Sequence, residues 1–310
     1  MHLRVISPAE TTEEVLSYLV AEPAVANLVV HRGAAVDPAG DVVIADVARE
    51  SANEVLRALK AMGLDKNGSI ALDAVGVALS SRGSEAEKAA PGAGDDAVVW
   101  EEIEQRTGEE SRLSVTFLLF LSIATVIAGI GVLLDQPILI VGAMVVGPEF
   151  GPLAALSVGV IRRRPRVIGR SLLALTVGFA VAIVVTVLST LALNAGGLVT
   201  REMLLGARPL TDFIWRPDAL SWVIAFLAGI AGILSLTTAK SGALIGVLIS
   251  VTTVPAAGNV AVAIAYGVPD EAWGSALQLG INLGAIATAG ILTLAVQRWL
   301  SRRRRPAGRA

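Results

Sequence analysis

The chain has 310 residues, of which 54% are hydrophobic and 17% are charged, and its mean hydropathy is +0.68. This composition is too apolar for an ordinary soluble domain and indicates an integral membrane protein that lies in a lipid bilayer. The absence of cysteine excludes disulfides and thiolate metal sites, and the formal net charge is −2. No nucleic-acid partner is predicted.

The first stretch, residues 1–78, predicts a small soluble α/β domain. A strand, a helix, two strands around the turn-prone Asp37–Gly40, a second helix ending at Gly63 and a last strand follow one another. This βαββαβ order is that of a ferredoxin-like sandwich. We expect the domain to be cytoplasmic, where such domains bind small ligands or pair with copies of themselves, and we predict a homo-oligomer.

Two connecting segments follow this domain. Residues 79–96 are small, polar and charged without periodicity, and they predict a flexible linker. Residues 97–112 predict a charged amphipathic helix at the cytoplasmic membrane surface, with Val99, Trp100 and Ile103 on its apolar side. We interpret this helix as a solvated connector, and a partner-binding role is the alternative.

Residues 113–300 predict an α-helical polytopic membrane bundle. Its six apolar segments are each near the length that spans a bilayer, and they cover 113–134, 137–161, 167–194, 219–237, 241–266 and 275–299. If both termini are cytoplasmic, one side of the membrane holds Arg112, Arg162–Arg164, Lys240 and the basic tail 301–310, and the other side holds Arg201, Arg208 and Arg216. The positive-inside rule therefore predicts a multi-pass protein of the plasma membrane in this orientation.

The second predicted span is interrupted at its centre. Residues 147–152 have the sequence Gly-Pro-Glu-Phe-Gly-Pro, and each proline removes a backbone donor and clashes with the preceding turn. Such a break is tolerated at membrane depth only where protein or a water-filled cavity surrounds it. The sequence therefore predicts a broken helix inside a bundle, with Pro148, Glu149, Gly151 and Pro152 as candidates for a solute or ion pathway.

The second half of the membrane part resembles the first half. Pro255-x-x-Gly258 in the fifth span matches Pro148-x-x-Gly151 in the second, and each pair lies near the middle of the second span of a three-span unit. Units with an odd number of spans insert upside down relative to each other, as in the inverted repeats of secondary transporters. We therefore predict two inverted three-span repeats with broken second helices.

Polar residues near the second break complete the candidate pathway, and they are Thr252, Thr253, Asn259, Gln278 and Asn282. The threonine hydroxyls can satisfy carbonyl groups that Pro255 frees, and the amides can line a polar site. Equally, intramembrane amides hold helices together through hydrogen bonds. Both interpretations stay open for Gln278 and Asn282.

Glu149 is the candidate with the strongest chemistry. A charge near the centre of a span costs about 2.5 kcal/mol or more, so such residues are usually functional or paired. One hypothesis is that its carboxylate carries a proton. The other is that it caps the helix beginning at Phe150 or faces an aqueous vestibule. Asp135, at the outer end of the first span, is interpreted as a turn residue.

The motifs IVGAMVVGPEFGP at 140–152 and VPAAGN at 254–259, together with Asn282, resemble the DUF389 family of bacterial membrane proteins. The N-terminal βαββαβ domain and the charged helix before the membrane part are also similar to that family. The resemblance implies a multi-pass membrane protein and no established chemistry.

The membrane part contains no histidine, no cysteine, no pair of mid-span aspartates and no phosphate-binding loop, so neither an enzyme nor a cofactor is predicted. The first of two functional hypotheses is a transporter or channel for a small solute or ion, with the soluble domain as a regulator or oligomeriser. The second is a membrane-anchored sensor or scaffold whose soluble domain binds a ligand or partner. The broken helices favour the first hypothesis, because an anchor has no need of them.

Overall fold

The computed structural model describes residues 1–75, 79–90, 99–238 and 252–303. The chain divides into two compact units, one built on Met1–Glu102 and the other on Ile103–Leu236 and Lys240–Trp299. The first unit contains the β-sheet, and the second contains the apolar helices.

The first unit folds in the predicted order. Its elements are β1 (His2–Ser7), α1 (Ala9–Ala21), β2 (Val25–Val36), β3 (Ala39–Val47), α2 (Ala52–Ala61), α3 (Leu64–Asn67) and β4 (Ser69–Asp73), with a 3₁₀ turn at Arg49–Ser51. The strands form one antiparallel sheet in the order β2-β3-β1-β4. The predicted four-stranded βαββαβ domain is therefore confirmed.

Alternation along the strands builds the core of this domain. Leu3 and Val5 of β1 are fully buried, and so is Val43 of the neighbouring β3, while the residues between them point to the other face of the sheet. Leu19 of α1 and Leu59 of α2 pack on the same buried face. The sheet and its two main helices thus share one apolar layer.

A further helix lies where a flexible linker was predicted over residues 79–96. Helix α4 covers Ser81–Ala89, and the residue after it, Ala90, is buried in a cluster with Ala24 and Ala48. This differs from the expectation because closely packed alanine methyls give no hydrophobic period that a sequence pattern could reveal. Residues 91–96 of the predicted linker lie outside the described residues.

Helix α5 (Trp100–Glu110) lies within the predicted charged helix before the membrane part. It begins where Trp100 N donates a hydrogen bond to Asn53 Oδ1 (3.0 Å). Val99 is buried against Ala52 and Leu56. The start of α5 is also joined to α2 by an ion pair, in which Lys60 Nζ donates to Glu101 Oε1 (3.2 Å).

The second unit is built from helices. It contains α6 (Val115–Leu133), α7 (Pro137–Val146), α8 (Phe150–Arg162), α9 (Pro165–Ala195), α10 (Arg201–Leu205), α11 (Ala219–Thr237), α12 (Thr253–Ala265) and α13 (Pro269–Arg303). Helices α6, α9, α11 and α13 are each long and apolar enough to cross a membrane, and α7 with α8 forms a fifth candidate span that is bent by 50°. Six spans were predicted. The described residues hold four or five, because α12 is short and residues 241–251 of the predicted fifth span lie outside them.

Helix α12 is the central helix of this unit. Every residue from Thr253 to Ala263 is buried, and the helix contacts α6, α7 and α9. The approach to α6 is close, since a Cβ added at Gly258 would lie 2.8 Å from Gly129 N and 2.9 Å from Thr125 O. A helix that is buried all round must be apolar and small on every face, which explains its run of alanine, glycine and valine.

The connection between α9 and α11, residues 196–218, folds back onto the bundle. It contains α10 and a 3₁₀ turn at Asp212–Ile214. Val199, Leu204 and Ile214 of this connection are buried in one cluster with residues of α6, α7 and α12. The outer loop predicted from the sequence is therefore packed against the helices along its length.

Asp135 attaches this loop to the end of α6. Its φ of +50° is that of a turn residue, as expected. Its carboxylate also accepts hydrogen bonds from Leu210 N (3.2 Å) and Thr211 Oγ1 (2.9 Å). The aspartate thus both turns the chain and holds the loop.

Candidate functional site

The break in the second predicted span lies between α7 and α8. Helix α7 ends at Val146, Gly147 has an extended backbone, and α8 begins at Phe150. Pro148 lies in the break, whereas Pro152 is the third residue of α8, where the backbone N–H groups have no partner within the helix. The local sequence therefore explains both the break and the new start.

Glu149 lies in this break and is buried, with 5% of its surface exposed. Thr253 Oγ1 donates a hydrogen bond to Glu149 Oε1 at 2.6 Å. The other carboxylate oxygen, Oε2, has no hydrogen-bond partner in the described part of the chain. Glu149 immediately precedes α8, yet its side chain makes no capping hydrogen bond to that helix. The carboxylate is therefore bonded to the first residue of α12 and not to its own helix.

The starts of α8 and α12 meet at this contact, because Thr253 is the first residue of α12. The two segments touch closely, since a Cβ added at Gly147 would lie 2.7 Å from Val254 Cγ2. A helix N-terminus carries partial positive charge, so both helix starts favour a negative charge on Glu149.

Helices α8 and α12 agree in length and in the position of proline. Helices α8 and α12 have 13 residues each, with Pro152 and Pro255 as their third residues. The helical register therefore pairs Pro255 with Pro152, and not with Pro148 as the sequence motif suggested. In this register Thr252 corresponds to Glu149.

A second group of predicted residues comes together beside the start of α12. Asn282 Nδ2 donates to Thr252 Oγ1 (2.9 Å), and Gln278 Nε2 lies 3.4 Å from the same hydroxyl and 3.5 Å from Asn282 Oδ1. Both amides are buried, and Gln278 Oε1 has no hydrogen-bond partner among the residues described. These contacts hold α13 against α12, and they keep one polar oxygen inside the bundle.

Asn259 belongs to a third polar group, further along α12. Its Nδ2 donates to Glu271 Oε1 (3.0 Å) and to Ser275 Oγ (2.8 Å), and Arg208 Nη2 donates to the same Glu271 oxygen (2.5 Å). The Arg208 and Glu271 side chains are 5% and 6% exposed, so they form a buried ion pair. Arg208 Nε, Arg208 Nη1 and Asn259 Oδ1 have no hydrogen-bond partner within the described ranges.

Three members of this group, Arg208, Glu271 and Ser275, were not predicted as site residues. Glu271, Ser275, Gln278 and Asn282 are spaced by four, three and four residues, which places them on one face of α13. This period could have identified Glu271 as a site residue from the sequence. The last span was predicted to begin at residue 275, however, so Glu271 was placed outside the span. Arg208 gives no signal, because a loop arginine has the same local pattern as any exposed charge.

The remaining candidates have no polar side-chain groups. Gly151, Pro152, Pro255 and Gly258 are buried in α8 and α12, where they shape the helix starts and the close approach to α6. No group of three or more His, Cys, Asp or Glu side chains that could hold a metal ion occurs in residues 1–75, 79–90, 99–238 and 252–303.

Comparison with known families decides the assignment of the membrane part. The family model described as "Domain of unknown function (DUF389)" matches residues 144–288. This stretch of the chain is similar to the DUF389 family. The resemblance of the two motifs is thereby confirmed, and the DUF389 region contains every candidate from Pro148 to Asn282 as well as Arg208, Glu271 and Ser275.

A relative of the chain is known from an archaeon. Uncharacterized protein MJ0678 of Methanocaldococcus jannaschii is 26% identical to this chain over 207 residues, which cover 65% of the chain and 62% of the relative. The chain thus matches less than two thirds of the length of that protein. No solved structure was found to match the chain.

Proposed function

We propose that the DUF389 domain of this chain carries a small solute or an ion across the membrane, along a path that passes Glu149. The observation that carries the proposal is the contact between Glu149 and Thr253, where the starts of α8 and α12 meet around a buried carboxylate. A membrane anchor has no use for this group, since a charge at membrane depth costs about 2.5 kcal/mol or more.

The order of the helices supports two inverted repeats. Each half has a 19-residue helix (α6 or α11), a 13-residue half-helix (α8 or α12) and a long helix that begins with proline at Pro165 or Pro269. With three spans in each half, α8 and α12 run in opposite directions and their starts meet near the midplane. In this arrangement the chain has six spans, and the fifth contains α12.

The orientation that we propose has both termini in the cytoplasm, below the plasma membrane. Glu104 forms an ion pair with Arg162 (2.5 Å), and Arg298 Nη1 donates to Ile161 O (2.6 Å), so the arginine-rich ends of α8 and α13 lie together. Asp135 and Thr211 meet at the C-terminal end of α6, which we assign to the other side of the membrane.

This orientation has a direct test, since the chain contains no cysteine. Single cysteines introduced at Gly206 and Ser301 should be labelled by an impermeant maleimide from opposite sides of the membrane. Labelling of both positions from the same side would contradict the topology and, with it, the inverted repeats.

Glu149 is the group whose protonation changes the charge of the proposed path. In its ionised form the carboxylate accepts the Thr253 hydroxyl and adds one negative charge beside two helix starts, and protonation removes that charge. A change of one charge in a buried site alters its affinity for a cation strongly, because the local dielectric constant is low. The transported species is therefore a cation, or a solute that moves together with a proton or a cation.

The N-terminal domain acts in this proposal as a regulator or as the contact between copies in a homo-oligomer. Strand β2 lies at an edge of the sheet and carries the exposed Val29 and Val36. An edge strand presents unpaired backbone groups to which a second strand can add. Sedimentation of the isolated domain tests the oligomeric role.

Flux measurements with the purified full-length protein in liposomes test the transport proposal. A panel of ions and small metabolites is measured at several pH values. Glu149→Gln keeps the shape of the side chain but cannot ionise. It should therefore either abolish the flux or leave a flux that no longer depends on pH. Asp270→Asn removes an exposed acid from the same domain and should leave flux unchanged. Flux equal to that of empty liposomes for the whole panel would favour the sensor or scaffold hypothesis.

A further inference from the structure

The ion pair between Arg208 and Glu271 joins a loop to a membrane helix. Arg208 belongs to the connection 196–218, whereas Glu271 lies in the first turn of α13. Their side chains are 5% and 6% exposed. Charged side chains are almost never buried this deeply unless they are paired, so the loop brings into the bundle a positive charge that Glu271 requires.

Two further polar side chains lie beside Glu271 in the bundle, those of Asn259 and Ser275. Glu271 Oε1 accepts hydrogen bonds from Arg208 and from Asn259 Nδ2, and Asn259 Nδ2 also donates to Ser275 Oγ. A carboxylate only accepts, so the amide of Asn259 must turn its nitrogen to Glu271, and its Oδ1 has no partner among the described residues. Carboxylate, amide and hydroxyl oxygens are the ligands that hard cations prefer in proteins.

Arg208 is held at this site by one nitrogen only. Nη2 contacts Glu271, whereas Nε and Nη1 have no hydrogen-bond partner in the part of the chain that the structure describes. An arginine that binds a carboxylate with two parallel hydrogen bonds is held more strongly and in a fixed orientation. The single contact leaves the guanidinium replaceable by another group of the same charge.

We propose that Glu271, Asn259 and Ser275 form a binding site for a monovalent cation of the size of Na⁺ or K⁺, and that Arg208 is its tethered occupant in this structure. The charge balance selects a monovalent ion, since one carboxylate faces one positive charge and Ca²⁺ sites usually contain several carboxylates. Entry of the free cation and withdrawal of Arg208 with its loop are linked, because Glu271 needs one positive charge in either state.

This site is separate from the carboxylate of Glu149. A protein that fails every flux assay can still bind a cation at Glu271, and a protein that transports through Glu149 can lack this cation site. The two proposals therefore fail independently.

The direct test removes the tethered charge. The melting temperature of full-length Arg208→Gln in detergent is measured in NaCl, KCl and choline chloride at equal ionic strength. A small cation at saturating concentration should raise the melting temperature by on the order of 5 °C over choline. The double variant Arg208→Gln/Glu271→Gln should lose this increase, whereas Arg208→Gln/Asp270→Asn, which removes an exposed neighbouring acid, should keep it.

Two results would overturn the proposal. One is an equal salt response of Arg208→Gln and Arg208→Gln/Glu271→Gln. The other is a melting temperature that changes with the anion when gluconate replaces chloride. The salt would then act through an anion bound to positively charged groups other than Arg208, and not through a cation bound to Glu271.

A second measurement decides the matter if Arg208→Gln does not fold. Val199 is a buried residue of the same loop, so Val199→Cys in the otherwise unchanged, cysteine-free chain reports loop withdrawal through its rate of reaction with N-ethylmaleimide. Na⁺ or K⁺ should increase this rate over choline, and the increase should disappear in Val199→Cys/Glu271→Gln. A rate that is the same in all three salts would overturn the proposal.

Discussion

Thr253 Oγ1 lies 2.6 Å from Glu149 Oε1, although 104 residues separate the two in the chain. This contact joins the break between α7 and α8 to the start of α12. The carboxylate is buried, and among the described residues its side-chain hydrogen-bond donor is the Thr253 hydroxyl. The contact therefore bears on the stability of the helix starts as well as on the proposed path.

Thr253→Val should lower the free energy of unfolding by about 1–3 kcal/mol, because it leaves a buried carboxylate without its hydroxyl donor while keeping the β-branched shape. Denaturation in detergent measures the change. Thr125→Val is the matched control, since Thr125 is equally buried but its hydroxyl donates to Leu121 O of its own helix. That carbonyl keeps its helical hydrogen bond, so the control should cost less. Equal costs for the two variants would contradict the assigned role of Thr253.

Gly147→Ala should destabilise the membrane domain by about 1–3 kcal/mol, as overpacking usually does. The added methyl group would lie 2.7 Å from Val254 Cγ2 and against the Glu149 carboxylate. Gly142→Ala, in the helix α7 that ends just before Gly147, is the control because a Cβ there meets nothing within 4 Å. It should be neutral or stabilise by up to about 1 kcal/mol, as alanine does in a helix interior. Thermal denaturation of both variants in detergent distinguishes a close contact from a general sensitivity of α7.

The helix break and the α/β order could be predicted because their causes are local. A proline such as Pro148 interrupts the interior of a helix through its own geometry, and strands with one buried face show an alternating pattern in their own sequence. Helix α4 could not be predicted, since its contacts are made by alanines whose burial depends on distant partners such as Ala24.

The contacts of the candidate site between residues far apart in the chain could not be predicted from such local patterns. Nothing near Glu149 specifies that Thr253 will be its partner, and nothing near Arg208 specifies burial, because both contacts depend on how the helices pack. Glu271 is an intermediate case. Its period with Ser275 and Gln278 is present in the sequence, but it becomes meaningful only once α13 is known to begin at Pro269.

The N-terminal domain should fold in the absence of the membrane helices, and the structure extends its boundary. The sequence predicted residues 1–78, yet Ala90 is buried with Ala24 and Ala48 after helix α4. A fragment of residues 1–90 should therefore melt at a higher temperature than one of residues 1–78, and both should give dispersed amide NMR spectra. Equal melting temperatures would show that α4 adds no stability, and a collapsed spectrum of both fragments would contradict independent folding.

Asp41 links the stability of this domain to pH. Gly33 N donates to Asp41 Oδ1 (2.7 Å), and Arg32 Nη1 donates to Oδ2 (3.0 Å). These hydrogen bonds, chiefly the one from Gly33, hold the pKa of Asp41 below its ordinary value of 3.8. Because the pKa is depressed in the folded state, the ionised group stabilises the fold above the unfolded-state pKa, and this contribution is lost as the pH falls through the folded-state value.

Asp41→Asn should therefore make the 1–90 fragment less stable at neutral pH, and the difference from the unmodified fragment should shrink as the medium is acidified below about pH 4. The reason is that protonation of Asp41 removes the same negative charge that the substitution removes. Thermal denaturation followed by circular dichroism between about pH 7 and about pH 2 measures the difference. Asp65→Asn, an exposed acid in α3, is the control and should change stability little at either end of this range. A difference for Asp41→Asn that stays constant over the whole range would mean that the carboxylate acts through its shape and not through its charge.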